Sequence, residues 1–511
     1  MLHGSTSWWA HALGQGFTHR FDPLGQQGQE VGWSIEQYGQ GYLVLCTTTA
    51  YTNQGEYYDP IVLSMTLEPN GEIASIDTVV FADHALYPGT WNCMNRRSGG
   101  GFVAGGGTVS QTETNRAALY KVSASGLVEF VDHYGPEGES WIGRQVIECK
   151  DGGFLMVGET GEFGMIDGML IKTDSSGVME WQRNYGGPMR DYFYTTDTTL
   201  TEDIYVAGGM RFVEENIDWW AMRLTSVGDT VWARTWGSDV HDLIPGISTK
   251  RNGNMLFASG WNIGEDDPIS RVYMAELDQN TGDIVWEREY GPTLNFTILR
   301  VAKEVAQGEG HIATGFAFAE NSNFWQGILL RTADNGDSLW MRRYFYYDSL
   351  MTDGMGELND VIPTLDGGFI ACGFTQGAYT GLYPPGYSQD VWVVKVDSLG
   401  CIIPGCDDFS TVITVQATNL KEALAVYPNP AHGSTTLKVT LPSGSPLLGR
   451  GVGGEVDLRL RLVNAQGQEV LVQKAVVGEN NLAVEGEAAG LYYIHLTSGT
   501  TWLSGTKLII E

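Results

Sequence analysis

A unit of about fifty residues recurs along most of this chain, and a period of that length calls for stacked supersecondary units rather than one continuous core. The clearest copy opens with the strand Phe154-Leu155-Met156-Val157-Gly158. A second strand follows from Asp167 to Lys172, and a third holds Trp181, Arg183 and Tyr185. The glycine-ended strand returns around Phe102, Tyr205, Leu256, Ile312 and Phe369, with a weaker copy at Tyr42-Leu43-Val44. Its closing glycine falls at Gly106, Gly158, Gly208, Gly260, Gly315 and Gly373, and Cys46 takes that place in the first copy. These positions define seven units. Each shows three strands and leaves room for a fourth, the content of one propeller blade. A lone blade cannot bury both faces, so the units must stack in a ring, and the ring must close. The seventh unit stops at Pro404, where the others carry Trp. Trp9 to Gly14 matches the missing strand, so the N-terminal strand is expected to complete the last blade. Residues 1–406 therefore read as an all-β, seven-bladed β-propeller.

Composition agrees. The chain has 511 residues, 67 glycines, 16 tryptophans and only 18% charged residues, which favours many short strands and tight turns. The trio Trp181/Arg183/Tyr185 recurs as Trp232/Arg234/Trp236, Trp286/Arg288/Tyr290 and Trp340/Arg342/Tyr344. Spacing of two puts each trio on one strand face, where arginine packs between rings. Repetition in four units marks the trio as blade-to-blade packing. Asp167/Lys172, Asp218/Arg223 and Asp390/Lys395 recur likewise and read as framework.

Past a linker, 407–420, the pattern changes. Residues 421–511 carry Pro428-Asn429-Pro430, then Leu458/Leu460/Leu462 in alternation, then Asn464 and Gly467. Gly490 and Tyr492 open a strand that alternates through Ile494 and Leu496, and Lys507 leads the last strand. Period-two alternation split by Asn, Gly and Pro turns predicts a small Ig-like β-sandwich. The order and spacing of these motifs resemble the C-terminal sorting domain of type IX (Por) secretion substrates. Asn464 stands where that family has Asp; both suit a tight turn. Pro442 to Gly454 forms a glycine-rich insert. The resemblance implies export by the type IX machinery and a secreted or outer-surface location. It also implies removal of the domain by a surface peptidase. Upstream, the repeats resemble secreted bacterial seven-bladed propellers, which implies a fold more than an activity. Type IX substrates need a signal peptide, and Met1 to Gly16 shows neither a basic n-region nor an apolar h-region.

A net charge of -31 argues against binding nucleic acid through phosphates. No apolar run reaches the roughly 18 residues of a membrane span. Cys401 and Cys406 flank a turn-like Ile-Ile-Pro-Gly, a setting for a local disulfide in an oxidising compartment. Cys46, Cys149 and Cys372 sit in apolar runs and read as small buried hydrophobes. No nucleophile elbow, zinc spacing, P-loop or EF-hand loop is present. No catalytic residue is assigned, although carboxylate pairs that meet only in space remain open to a polysaccharide hydrolase or lyase.

Loops carry binding in such folds. The loop after the glycine-ended strand holds Tyr51, Tyr57 and Tyr58 in the first unit and Tyr379, Tyr383 and Tyr387 in the seventh. Ring closure makes those units neighbours, giving one aromatic patch for a glycan or protein ligand. The same tyrosines would also serve simply to pin long loops. In the fifth unit that loop carries Glu265, Asp266 and Asp267, a candidate Ca2+ site or a solvated face. The reading is a secreted or surface binding protein. A polysaccharide-active enzyme and a structural adhesion component are the alternatives.

Overall fold

The computed structural model describes residues 16–23, 28–50, 61–79, 85–109, 115–123, 127–136, 138–162, 165–198, 205–213, 216–262, 269–306, 309–318, 325–346, 355–376, 389–403, 413–418, 423–441, 458–464, 468–498 and 501–511. Their regular structure is almost entirely strand, arranged as a seven-bladed β-propeller and a β-sandwich. Blade three shows the plan: Trp141–Glu148, Phe154–Glu162, Met165–Thr173 and Met179–Tyr185 pair in order as an antiparallel sheet. Blades four, five and six repeat it, beginning at Asp191–Thr198, Gly246–Thr249 and Thr297–Glu304. Blade one begins at Gly28–Tyr38 and blade seven at Met355–Pro363. Blade two divides its first strand into Ala85–Pro88 and Met94–Arg96. The glycine-ended strand of the sequence is thus the second of each blade.

The first strands lie innermost, because polar groups join them blade to blade in a closed belt. Gln145 Nε2 donates to the Asn92 carbonyl at 2.8 Å, and its Oε1 accepts the Thr196 N–H at 2.8 Å. Ile247 N–H donates to Thr195 Oγ1 at 3.1 Å, and Ser248 Oγ to the Ala302 carbonyl at 2.6 Å. Lys303 Nζ meets Asp360 Oδ1 at 2.7 Å, and Asp360 Oδ2 accepts from Ser34 Oγ at 3.1 Å. Met94 N–H completes the circuit on Ser34 Oγ at 3.3 Å. These groups are largely shut off from water, so each needs its partner.

Outer strands join by the repeated trio. Tyr134, Tyr185, Tyr290 and Tyr344 each donate a hydroxyl to the hairpin glycine carbonyl of the next blade, at Gly177, Gly228, Gly336 and Gly400, over 2.6–2.7 Å. Those glycines adopt φ of 76–88°, the left-handed turn geometry that glycine accepts without strain. Arg183 Nη1 reaches Asp229 of the next hairpin at 2.7 Å. The framework lysines do not pair with the acids that recur beside them. Lys172 binds Asp151 and Glu180, and Lys395 binds Asp366.

The fourth place in blade seven is held by Phe17–Phe21, antiparallel to Gln389–Val396. Trp392 Nε1 donates to Thr18 Oγ1 at 2.9 Å, and Arg20 Nε meets the buried Asp390 at 3.1 Å. Trp9 to Gly14, the stretch expected there, lies outside the described residues.

The sandwich packs Leu424–His432, Ser434–Val439 and Gly478–Ala483 against Leu458–Asn464, Glu469–Ala475, Gly490–Ser498 and Thr501–Ile510. Leu437, Leu460, Ile494 and Leu508 fill the space between. Asn429, between Pro428 and Pro430, clips the final strand. Its Nδ2 donates to the Lys507 carbonyl at 2.9 Å, and its Oδ1 accepts the Ile509 N–H at 2.8 Å. Tyr492 ties its hydroxyl to the Ala488 carbonyl at 2.8 Å. Gly467 lies outside the described residues. Within 407–420, residues Ile413–Thr418 form a strand.

Candidate functional site at the channel mouth

Five inner strands carry a β-bulge at the same register. The ladder skips Trp33, Arg144, Tyr194, Arg300 and Asn359, so two residues face one on the second strand. In four of the five blades a repeated glycine faces the bulge, and in blade one Cys46 stands there. A Cβ on Gly158, Gly315 or Gly373 would collide with the carbonyl of Ile142, Ile298 or Glu357. Only glycine lets the bulged strand come that close. In blade two the place is taken by Gly89 to Cys93, with Asn92 at φ 52° and Trp91 beside it.

Bulges re-aim side chains, and here three of them meet Trp91 or its neighbour. The Arg300 guanidinium lies over the Trp91 ring, 4.1 Å from its centre, and 5.2 Å from that of Phe316. Trp91 stacks parallel to Tyr194, centres 6.3 Å apart, and Arg144 sits 5.1 Å from the Tyr194 ring. Blades two, four and six are not neighbours, so their contact through Trp91, Tyr194 and Arg300 places the cluster on the propeller axis. Tyr192 lies 6.1 Å from Tyr194, and Phe316 adjoins Phe296 and Trp325. The result is a line of alternating rings and guanidinium groups across the channel mouth.

Two carboxylates hold the arginines in place. Arg300 meets Glu357 Oε1 through Nη2 at 2.6 Å and Nε at 2.8 Å. Arg144 Nη2 meets Glu159 Oε1 at 2.7 Å and its Nη1 reaches the Gly89 carbonyl at 3.3 Å. Such charge-assisted bonds fix the guanidinium planes while leaving their faces against the rings. Burial pushes the Tyr194 phenol up to about 12, with Arg144 opposing, so it stays a neutral donor near pH 7. Trp91 is 7% exposed, and its Nε1 has no hydrogen-bond partner among the described residues. Glu159 Oε2 likewise lacks one.

Tyr51, Tyr57, Tyr58, Tyr379, Tyr383, Tyr387, Glu265, Asp266 and Asp267 all lie outside the described residues. The second strands that precede them end at Ala50, Asn262 and Gln376. Of the nearby acidic residues that are described, Glu159 in the strand Phe154–Glu162 is engaged by Arg144, and Asp218 in Asn216–Leu224 accepts from Asn216 Nδ2 at 2.9 Å. Among the described residues, no group of three or more His, Cys, Asp and Glu is placed to hold a metal ion. Cys401 is disulfide-bonded, and Cys406 lies outside the described residues. Cys46, Cys93, Cys149 and Cys372 are free and buried. The channel-mouth cluster escaped the sequence reading, which followed loops. Its one signal was the repeated glycine, which faces the bulge in every bulged blade but the first.

Propeller and sandwich together define an all-β repeat protein with an appended C-terminal module. Residues 425–511 match the family profile of the secretion system C-terminal sorting domain. The chain is thus a type IX secretion substrate, delivered to the cell surface or the extracellular space. Among the described residues, no helix is long and apolar enough to cross a membrane. No curated protein sequence matches the chain. Similar solved structures include PorZ, a bacterial surface component of the type IX secretion system of Porphyromonas gingivalis, at 7% identity and a TM-score of 0.26, covering 93% of this chain and 75% of that one. Sqt1 from Chaetomium thermophilum is similar at 10% identity and a TM-score of 0.42, covering 74% and 97%. The Bombyx mori GH32 β-fructofuranosidase BmSUC1 is similar at 10% identity and 0.33, covering 76% and 91%.

Proposed function

We propose that residues 1–406 are the working part of this surface protein and that the channel mouth, with the loops around it, binds a glycan. Residues 421–511 serve export. The line of rings and clamped arginines from Arg144 to Trp325 carries this reading. Aromatic faces offer flat apolar area to the C–H faces of a sugar ring. The fixed Arg–Glu pairs beside them supply donors and acceptors for hydroxyl groups. Both mouth carboxylates are engaged by arginine, Glu159 by Arg144 and Glu357 by Arg300, which suits a fixed binding surface.

Native affinity electrophoresis of the full chain against a panel of soluble polysaccharides tests this. One glycan class should retard the protein, and Tyr194→Ala, Tyr58→Ala and Tyr383→Ala should each reduce the retardation. Binding unchanged in Tyr194→Ala would move the site away from the mouth. No retardation by any glycan would leave a protein ligand or a structural surface role.

A further inference from the structure

The outer strand of blade six, Ser338–Tyr346, differs from its counterparts. It is buried from Met341 to Tyr346, whereas Met179–Tyr185 and Thr230–Trp236 are half-buried or exposed throughout. Among the described residues, it is the one outer strand paired beyond its own blade. Ile413–Thr418 runs parallel to it, from Met341 opposite Ile413 to Tyr346 opposite Thr418. The same short strand pairs on its other side with the last strand of the sorting domain, Val415 opposite Thr501 and Gln416 opposite Trp502. A single sheet therefore runs from blade six into the sandwich.

Side chains reinforce that seam. Tyr344 and Tyr346 face the core between blades six and seven, while Phe345, pointing the other way, joins the core of the sandwich. Trp502 packs on Cys401 and Ile403 at the end of blade seven, and its Nε1 donates to the buried His495 at 2.8 Å. The disulfide at Cys401 braces that platform.

We infer that this seam is a latch: the sorting domain travels docked on the edge of blade six, and Ile413–Thr418 stays shielded inside the sheet until the dock opens. The segment that joins cargo to sorting domain is thereby withheld from a protease while the two parts are seated. Opening requires Phe345 and Trp502 to leave their pockets together with the strand.

Hydrogen exchange on the full chain tests this. Amides of 413–418 should exchange at least about a hundredfold more slowly than in unstructured chain, and Phe345→Asp or Ile403→Asp should raise their rate about tenfold or more. Peptides covering Phe154–Glu162 and Leu458–Asn464 should not change, and Val231→Asp, on the outer strand of blade four, should leave 413–418 unaffected. Thermolysin should cut both dock variants between the two domains sooner than the wild type. Unprotected 413–418 amides in the wild type would overturn the latch on their own, even if a variant fails to fold. Equal exchange in wild type and folded variants would overturn it as well.

Discussion

Asp242 lies 2% exposed at the entry to blade five, where its Oδ2 accepts the Ser238 N–H at 2.7 Å. Backbone hydrogen bonds from Ser238 and Asn262 oppose the effect of burial on this carboxyl. Burial pushes this carboxyl from 3.8 up to about 7, aided by nearby Asp218. A folded value above the unfolded one means the stabilisation is complete below pH 3.8 and fades as pH rises through about 7. Asn in its place keeps the acceptor and cannot ionise. Asp242→Asn should therefore hold its Tm between pH 5 and 8, while the wild type loses on the order of 2 kcal/mol over that range. Thermal unfolding at a series of pH values reads the difference. The tyrosine links act on the same scale. Tyr290→Phe removes the bond to the Gly336 carbonyl and leaves that buried oxygen short of a donor, at a cost of about 1 kcal/mol by denaturant unfolding.

At the scale of strands, the inner wall of blades three, six and seven depends on the glycine that faces the bulge. Gly315→Ala would drive a Cβ into the Ile298 carbonyl and the backbone of Leu299. The inner strand of blade six must then shift, which should cost about 1–3 kcal/mol and move Arg300 off Trp91. Gly99→Ala has open space around it and should change neither Tm nor tryptophan fluorescence. These glycines were legible in the sequence; their reason was not. A bulge adds one residue to a strand, so alternation slips by one and an inner strand such as Ile298-Leu299-Arg300-Val301-Ala302 looks like an apolar run broken by a charge. The second and third strands, buried on both faces, read as repeated apolar runs, the outer strands carried the spaced trio, and the sandwich kept period two. The inner strands were the missing fourth of each unit, because their buried positions include polar belt residues such as Gln145, Thr195 and Asp360, which hide the apolar signal of a strand. The cluster of Trp91, Tyr194, Arg144 and Arg300 draws on four blades, so no local pattern could announce it.

At the scale of the molecule, the propeller is a ring held at one joint by Phe17–Phe21. Asp390 is fully buried and meets Arg20 across that joint. Arg20→Ala removes this cation from a buried carboxylate and should destabilise the propeller by about 3 kcal/mol. The loss should show as a lower thermal midpoint, with hydrogen exchange rising first in blades seven and one. The sandwich keeps its own core, so peptides covering Leu458–Asn464 should hold their protection.

The joint also sets a clock. Thr18 and Trp392, which meet across it, are 374 residues apart in sequence. Bringing such distant segments together is slow, and neither the first strand nor the seventh blade can finish without the other. The barrier to a closed ring is therefore crossed only after the last blade has emerged. Until then the chain is a crescent with two raw ends, and a carrier that held either end would keep it open for passage.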